Sequence, residues 1–193
     1  MKKTYYLYLF RHGETTYNSK GQFTGFDNPP LTKKGFDDAY ILSERLKDKK
    51  FNIAIQTPLK RSKDTLKAVL KNHPECKRVL TDARMKERNY GRLNGKTHAQ
   101  IVQRYGFLQY DKWHRDFNTR PPKGESFADV EKRVKSFIHD LKKLIKKEKT
   151  NIAISAHGNS IRLFRKIMTH ASKEQSVQWS IPYDNYETYM IEI

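Results

Sequence analysis

Short runs rich in β-branched and aromatic residues alternate with helical stretches along this chain, and that alternation constrains the fold most. Residues 5–10 (YYLYLF), 53–57 (IAIQT), 152–155 (IAIS) and 188–193 (TYMIEI) read as strands, with 78–80 (RVL) as a weaker fifth. Between them, Ser126 with Asp129 three residues on marks a capped helix start. Phe127, Val130, Val134, Phe137, Ile138, Leu141, Leu144 and Ile145 then trace one apolar face at helical spacing. Residues 32–47 read as a second helix with Phe36, Ala39, Tyr40, Ser43 and Leu46 on its stripe, and 62–69 and 160–168 as shorter ones. This order predicts one domain over residues 1–193, α/β in class, a three-layer α/β/α sandwich around a mainly parallel sheet.

Ligands of such sheets bind beyond the carboxyl ends of the strands. Arg11 and His12 follow the first strand, Arg61 the second, Glu87 the weak strand, and His157 the 152–155 strand. Segments far apart in sequence are thereby expected to bring charged groups to one rim.

Composition narrows the function classes. The net charge of +18 allows either a nucleic-acid binder or an enzyme with a basic surface and an anionic substrate. The lysines are scattered, and the one dense run, 142–149 (KKLIKKEK), falls on the polar side of a helix. A solvated surface is the better reading, and a nucleic-acid partner is not expected. No apolar run approaches the roughly 18 residues a membrane span needs. The opening MKKTYYLYLF lacks the cleavage site of a signal peptide and reads as a strand. The single cysteine, Cys76, excludes an internal disulfide and suits a reducing cytoplasm, the expected location. Nothing in the pattern assigns an oligomeric state.

Phosphoryl transfer without a metal needs an in-line nucleophile, donors for the anionic oxygens and a proton for the leaving oxygen. Neutral imidazole suits the first task, because histidine titrates near 6.5. Arginines can grip phosphate oxygens two at a time. One carboxyl group can protonate the leaving alcohol and later activate water. Singly, each residue also has an ordinary surface reading. The joint pattern is what points to chemistry.

LFRHGETTYN (9–18) resembles the RHGE[ST] signature of the phosphoglycerate mutase-like family of the histidine phosphatase superfamily. FTGFDNPPLTKKG (23–35), TPLKRSKDT (57–65), ERNYGRLNG (87–95), PPKGES (121–126) and AHGNSIR (156–162) follow in the family's order and spacing. The resemblance implies a phosphoglycerate mutase-like fold, a phosphorylated His12, Glu87 as proton donor, and Arg11, Arg61 and His157 as the phosphate pocket. It places Asn18, Thr24, Gly25, Gly158 and Asn159 around the substrate phosphate or acid, and Tyr90 and Arg115 at the distal part. Family members need no metal and no nucleotide, and the implied partner is a small anionic phosphorylated metabolite.

Within this family a mutase returns the phosphoryl group to a retained bisphosphorylated intermediate, whereas a phosphatase gives it to water. Aligned without gaps, His98 stands where mutases carry a lysine, and Trp113, His114 and Arg115 stand at their WRR. One permanent cation is kept and two have become histidines. If protonated, these would grip an acidic substrate more weakly as pH rises from about 6 to 8. The GKTH tetrapeptide (95–98) and the short stretch between Arg115 and Ile145 also resemble phosphatases, while HGNSIR, FTG and ERNYG resemble mutases. Hydrolysis of small phosphate monoesters, with no cofactor, is the favoured reading. The alternative is a mutase primed by 2,3-bisphosphoglycerate. A degenerate relative working as a binding module would be expected to lose one of the five central residues, and all are present.

Overall fold

The structure, a computed structural model, describes residues 3–193, so the first two positions of the expected domain lie outside it. In chain order the elements are β1 (Thr4–Arg11), α1 (Thr16–Ser19), α2 (Lys33–Leu46), β2 (Ile53–Gln56), α3 (Lys60–Val69), β3 (Arg78–Thr81), α4 (His98–Tyr105), α5 (Phe107–Arg115), α6 (Phe127–Glu148), β4 (Ile152–Ala156), α7 (Gly158–Thr169), α8 (Lys173–Gln178) and β5 (Tyr186–Glu192). The five strands form one sheet in the order β3-β2-β4-β1-β5. β2–β3, β2–β4 and β1–β4 pair parallel, with Leu7 and Ile53 both opposite Ile152. Only β5, on the edge, runs antiparallel, with Leu7 opposite Tyr189.

Side-chain alternation along the strands separates two apolar layers. Leu7, Leu9, Ile53, Ile55, Ile152 and Ile154 pack with α6 and α7 on one face. Tyr8, Phe10, Ala54 and Ala153 pack with Leu42 and Leu46 of α2 and Leu66 and Val69 of α3 on the other. The sandwich is therefore the three-layer α/β/α arrangement expected. β4 is buried at every position, as a parallel strand covered on both faces should be. The Ser126 cap of α6 is present: its hydroxyl accepts from Asp129 N, and its own N–H reaches Asp129 Oδ2 at 2.9 Å. Seven apolar side chains of α6 are buried, at about 1.5–3 kcal/mol each, which makes this helix a principal anchor of the sheet.

One expectation is corrected. On α2, Phe36 and Tyr40 point outward, 54% and 65% exposed. The buried face is instead Gly35, Asp38, Ala39, Leu42, Ser43 and Leu46. Gly35 sets this rotation, because a Cβ there would lie 2.0 Å from Glu14 O, so only glycine allows the helix start to approach the loop after β1. The segment 98–115 forms α4 and α5, which bury only Ile101 between them. Among the described residues, no helix is long and apolar enough to cross a membrane.

Candidate active site

The carboxyl ends of β1 and β4 lie side by side, tied by His12 N–H to Ala156 O at 3.1 Å. Arg11 ends β1, His12 follows it, and His157 precedes α7, whose N-terminus adds partial positive charge. His12 is 2% exposed. Its Nδ1–H donates to Gly13 O at 2.7 Å, which leaves the lone pair on Nε2. Arg61 Nε donates to that Nε2 at 3.2 Å. Burial, then the charges of Arg61 and Arg11, hold His12 well below the usual histidine range, so the ring is neutral at physiological pH. Gly13 is obligatory here, since a Cβ would lie 2.1 Å from Gly35 O.

Arg61, on the first turn of α3, stays a cation although burial lowers it to about 10. Its Nη1 and Nη2 donate to Asp27 O at 2.7 Å and Gly25 O at 2.8 Å, so it also fixes the 24–27 loop. Arg11 stacks on the Tyr183 ring at 4.0 Å and donates through Nη1 to Ile181 O at 2.9 Å. The His157 ring lies 5.0 Å from that of His12 and shares a 2.8 Å hydrogen bond with Thr57 Oγ1 through Nε2. His157, a member of the expected phosphate pocket, is not a third cation there: burial, then Arg61, keep it well below 6.5, and it is neutral. Arg11 Nε, Thr24 Oγ1 and His157 Nδ1 are buried without a partner, a donor set that an anion would satisfy.

Glu87 arrives on the loop between β3 and α4. Its Oε1 accepts from Arg88 N at 2.8 Å and Asn159 N at 3.1 Å. A Cβ built on Gly158 would sit 3.6 Å from both Arg11 Nε and Glu87 Oε2, so glycine leaves a gap between the cation and the carboxyl oxygen. Arg133 of α6 clamps the loop, donating to Arg84 O, Lys86 O and Glu87 O at 2.6–2.9 Å while paired with Glu125. Neither Arg133 nor Glu125 was singled out from sequence.

A cavity of about 170 Å³ opens beside these groups, lined in part by Arg11, Asn18, Thr24, Glu87, Tyr90, His98, His114, Gly158, Asn159 and Arg162. Asn18 Oδ1 is taken by Thr15 N and Oγ1, which leaves its amide N–H groups for the cavity. Asn159 bridges Tyr90 OH (3.0 Å) and Arg162 Nη1 (2.6 Å). Gly25 is not on the wall. It has φ +49°, a Cβ would lie 2.3 Å from Asn94 Oδ1, and its role is to bend the loop that Arg61 holds.

The distal wall departs most from expectation. His98 and His114 both bond Tyr110 OH through Nδ1, at 3.1 and 2.9 Å. Burial and the nearby Arg115 lower His98, and the same two causes pull His114 down to about 2. Both rings lie below the usual histidine range and are neutral at physiological pH, so the protonation that a cationic grip requires is not met there. Arg115 is not on this wall. It lies at the end of α5, donates to Val177 O of α8 at 2.6 Å, and borders a separate cleft. Besides Arg11, the cation that lines the cavity is Arg162, three residues after Asn159 on α7, a helical spacing the sequence already contained. Among the described residues no group of three His, Cys, Asp or Glu side chains is arranged to hold a metal ion.

The sequence profile of the histidine phosphatase superfamily (branch 1) matches residues 7–193. A 2,3-bisphosphoglycerate-dependent phosphoglycerate mutase 2 of Gloeobacter violaceus is 33% identical, covering 92% of this chain and 81% of its own. The 2,3-bisphosphoglycerate-dependent mutase of Bartonella bacilliformis is 35% identical, covering 92% and 86%. Among solved structures, the α-ribazole phosphatase of Shigella flexneri superposes with a TM-score of 0.81 at 26% identity, covering 95% and 89%.

Proposed function

We propose, for a chain that belongs to the histidine phosphatase superfamily (branch 1), that it hydrolyses small phosphate monoesters through a phosphohistidine at His12. His12 Nε2 attacks phosphorus as the ester P–O bond breaks, and the Glu87 carboxylic acid gives its proton to the departing oxygen. Arg11, Arg61 and the His157 ring N–H hold the phosphoryl oxygens, with Arg61 passing its Nε donor from His12 to the incoming group. Water then attacks phosphorus, the Glu87 carboxylate takes its proton, the P–N bond breaks, and phosphate leaves a neutral His12. None of these steps calls on a metal.

One observation carries hydrolysis over mutase action: His98 and His114 are neutral and tied to Tyr110, so they offer no permanent charge to retain a bisphosphorylated intermediate. The cavity, smaller than the roughly 300 Å³ of drug-sized sites, favours a small phosphorylated metabolite. The second reading is a mutase primed by 2,3-bisphosphoglycerate. It is favoured by the mutase names of the curated relatives and by Arg162 on the wall. A reducing, cytoplasmic setting is proposed with either.

Initial rates with 3-phosphoglycerate, with and without 2,3-bisphosphoglycerate, separate the two. Phosphate release faster than formation of 2-phosphoglycerate supports the phosphatase. Faster isomerisation establishes the mutase.

A further inference from the structure

We propose that Tyr110 makes the distal wall a reader of neutral hydroxyl groups, so that the preferred substrates are phosphate monoesters of polyol or sugar-type alcohols rather than acid-tailed ones. The inference rests on the phosphotransfer reading above for the reacting end alone.

The Tyr110 hydroxyl has one proton and meets two imidazole nitrogens, His98 Nδ1 at 3.1 Å and His114 Nδ1 at 2.9 Å. Acceptance by both nitrogens would need a second hydroxyl proton. Donation by both would leave the hydroxyl proton without an acceptor. Both contacts are satisfied when one ring donates through Nδ1–H and the other accepts. The first ring then carries a bare Nε2, and the second an Nε2–H. Neither Nε2 has a protein partner among the described residues, and both rings line the cavity. The ring centroids are 5.1 Å apart, with Phe23 packed behind His98 at 4.3 Å. One hydrogen-bond acceptor and one donor thus stand side by side. A hydroxyl group, which both donates and accepts, matches that pair. A carboxylate or phosphate only accepts, and leaves the bare nitrogen facing an anion.

The rest of the wall agrees. Gln22 gives its amide N–H to Gly95 O at 2.6 Å, which leaves its carbonyl oxygen free, and Asn18 offers N–H groups. Arg162, which lines the cavity, is held through Nε by Trp179 O at 2.7 Å and through Nη1 by Asn159. Burial keeps the imidazoles uncharged and raises Tyr110, so the hydroxyl proton stays in place.

Three-carbon esters of matched length provide the test: glycerol 1-phosphate, n-propyl phosphate and 3-phosphooxypropanoate. Wild type is expected to show kcat/KM at least tenfold higher for glycerol 1-phosphate than for either of the others. In Tyr110→Phe the ratio to propyl phosphate should collapse towards one. Long-range proton–nitrogen spectra of histidine-labelled protein should show one of the two rings protonated on Nδ1 and the other on Nε2. Equal kcat/KM for the three esters, an unchanged ratio in Tyr110→Phe, or two identical tautomers overturns the inference. Alkaline-quenched samples report separately on the reacting end: no phosphoryl group on His12 with any ester would instead sink the phosphohistidine reading.

Discussion

Arg61 Nε donates to His12 Nε2 at 3.2 Å, so the arginine assigned to phosphate oxygens holds the atom assigned to attack phosphorus. The same guanidinium carries Gly25 O and Asp27 O. Arg61→Lys keeps charge but loses the planar fork. It should lower kcat/KM at least 100-fold and destabilise the fold by about 1–3 kcal/mol, because buried carbonyls lose their donors. Denaturant melts and steady-state kinetics check both; full activity in Arg61→Lys would remove the arginine from the chemistry.

Glu87→Gln keeps the shape of the side chain and removes the acid. The loss should be about 10²–10⁴ for alkyl phosphates, whose leaving oxygen needs a proton, and much smaller for nitrophenyl phosphate. Arg133→Lys, which cannot reach all three loop carbonyls, should show the same leaving-group split in weaker form at unchanged KM. Equal losses on both ester types would give Glu87 a structural role.

The buried histidines also set how stability depends on pH. His12 and His157 have pKa values well below 6.5 when folded, whereas in the unfolded chain they titrate near 6.5. Between those values the unfolded state binds protons that the native state refuses, so stability falls as pH drops below about 6.5 and is level with respect to these groups above it. Each should contribute a slope of about 1.4 kcal/mol per pH unit. Chemical denaturation at pH 7, 6 and 5 should show a decline that weakens in His157→Asn.

Gly158→Ala isolates the site from the fold. The added methyl makes ordinary contact, 3.6 Å, with Arg11 and Glu87 Oε2, and Gly158 does not adopt a positive φ. The melting temperature should stay within about 2 °C, the equivalent of about 0.5–1 kcal/mol for a chain of this size. Activity should fall at least tenfold as the methyl fills the gap between cation and acid. Wild-type rates in this variant would place the phosphoryl group elsewhere.

The strands and α6 were legible because their apolar spacing matches their burial. The rim residues were legible because strand ends locate them: Arg11, His12, Glu87 and His157 do converge. What sequence could not supply was the state of the histidines. The protonation of His98, His114 and His157 depends on burial and on guanidinium neighbours, most of them brought in by the fold. Arg115 was misplaced because alignment fixes a position along α5, but not that its side chain reaches Val177 on α8. Phe36 and Tyr40 looked like a core stripe, and only the Gly13–Gly35 approach determines which way α2 turns.

The central claim is a covalent phosphoryl group on His12. Rapid quench with substrate, followed by intact-mass measurement and peptide mapping under alkaline conditions, tests it directly. The expected result is one added phosphoryl group, labile in acid, mapped to His12 and absent in His12→Ala. A phosphoryl group on a serine or on Cys76, or turnover in wild type with no adduct under any quench time, would contradict it.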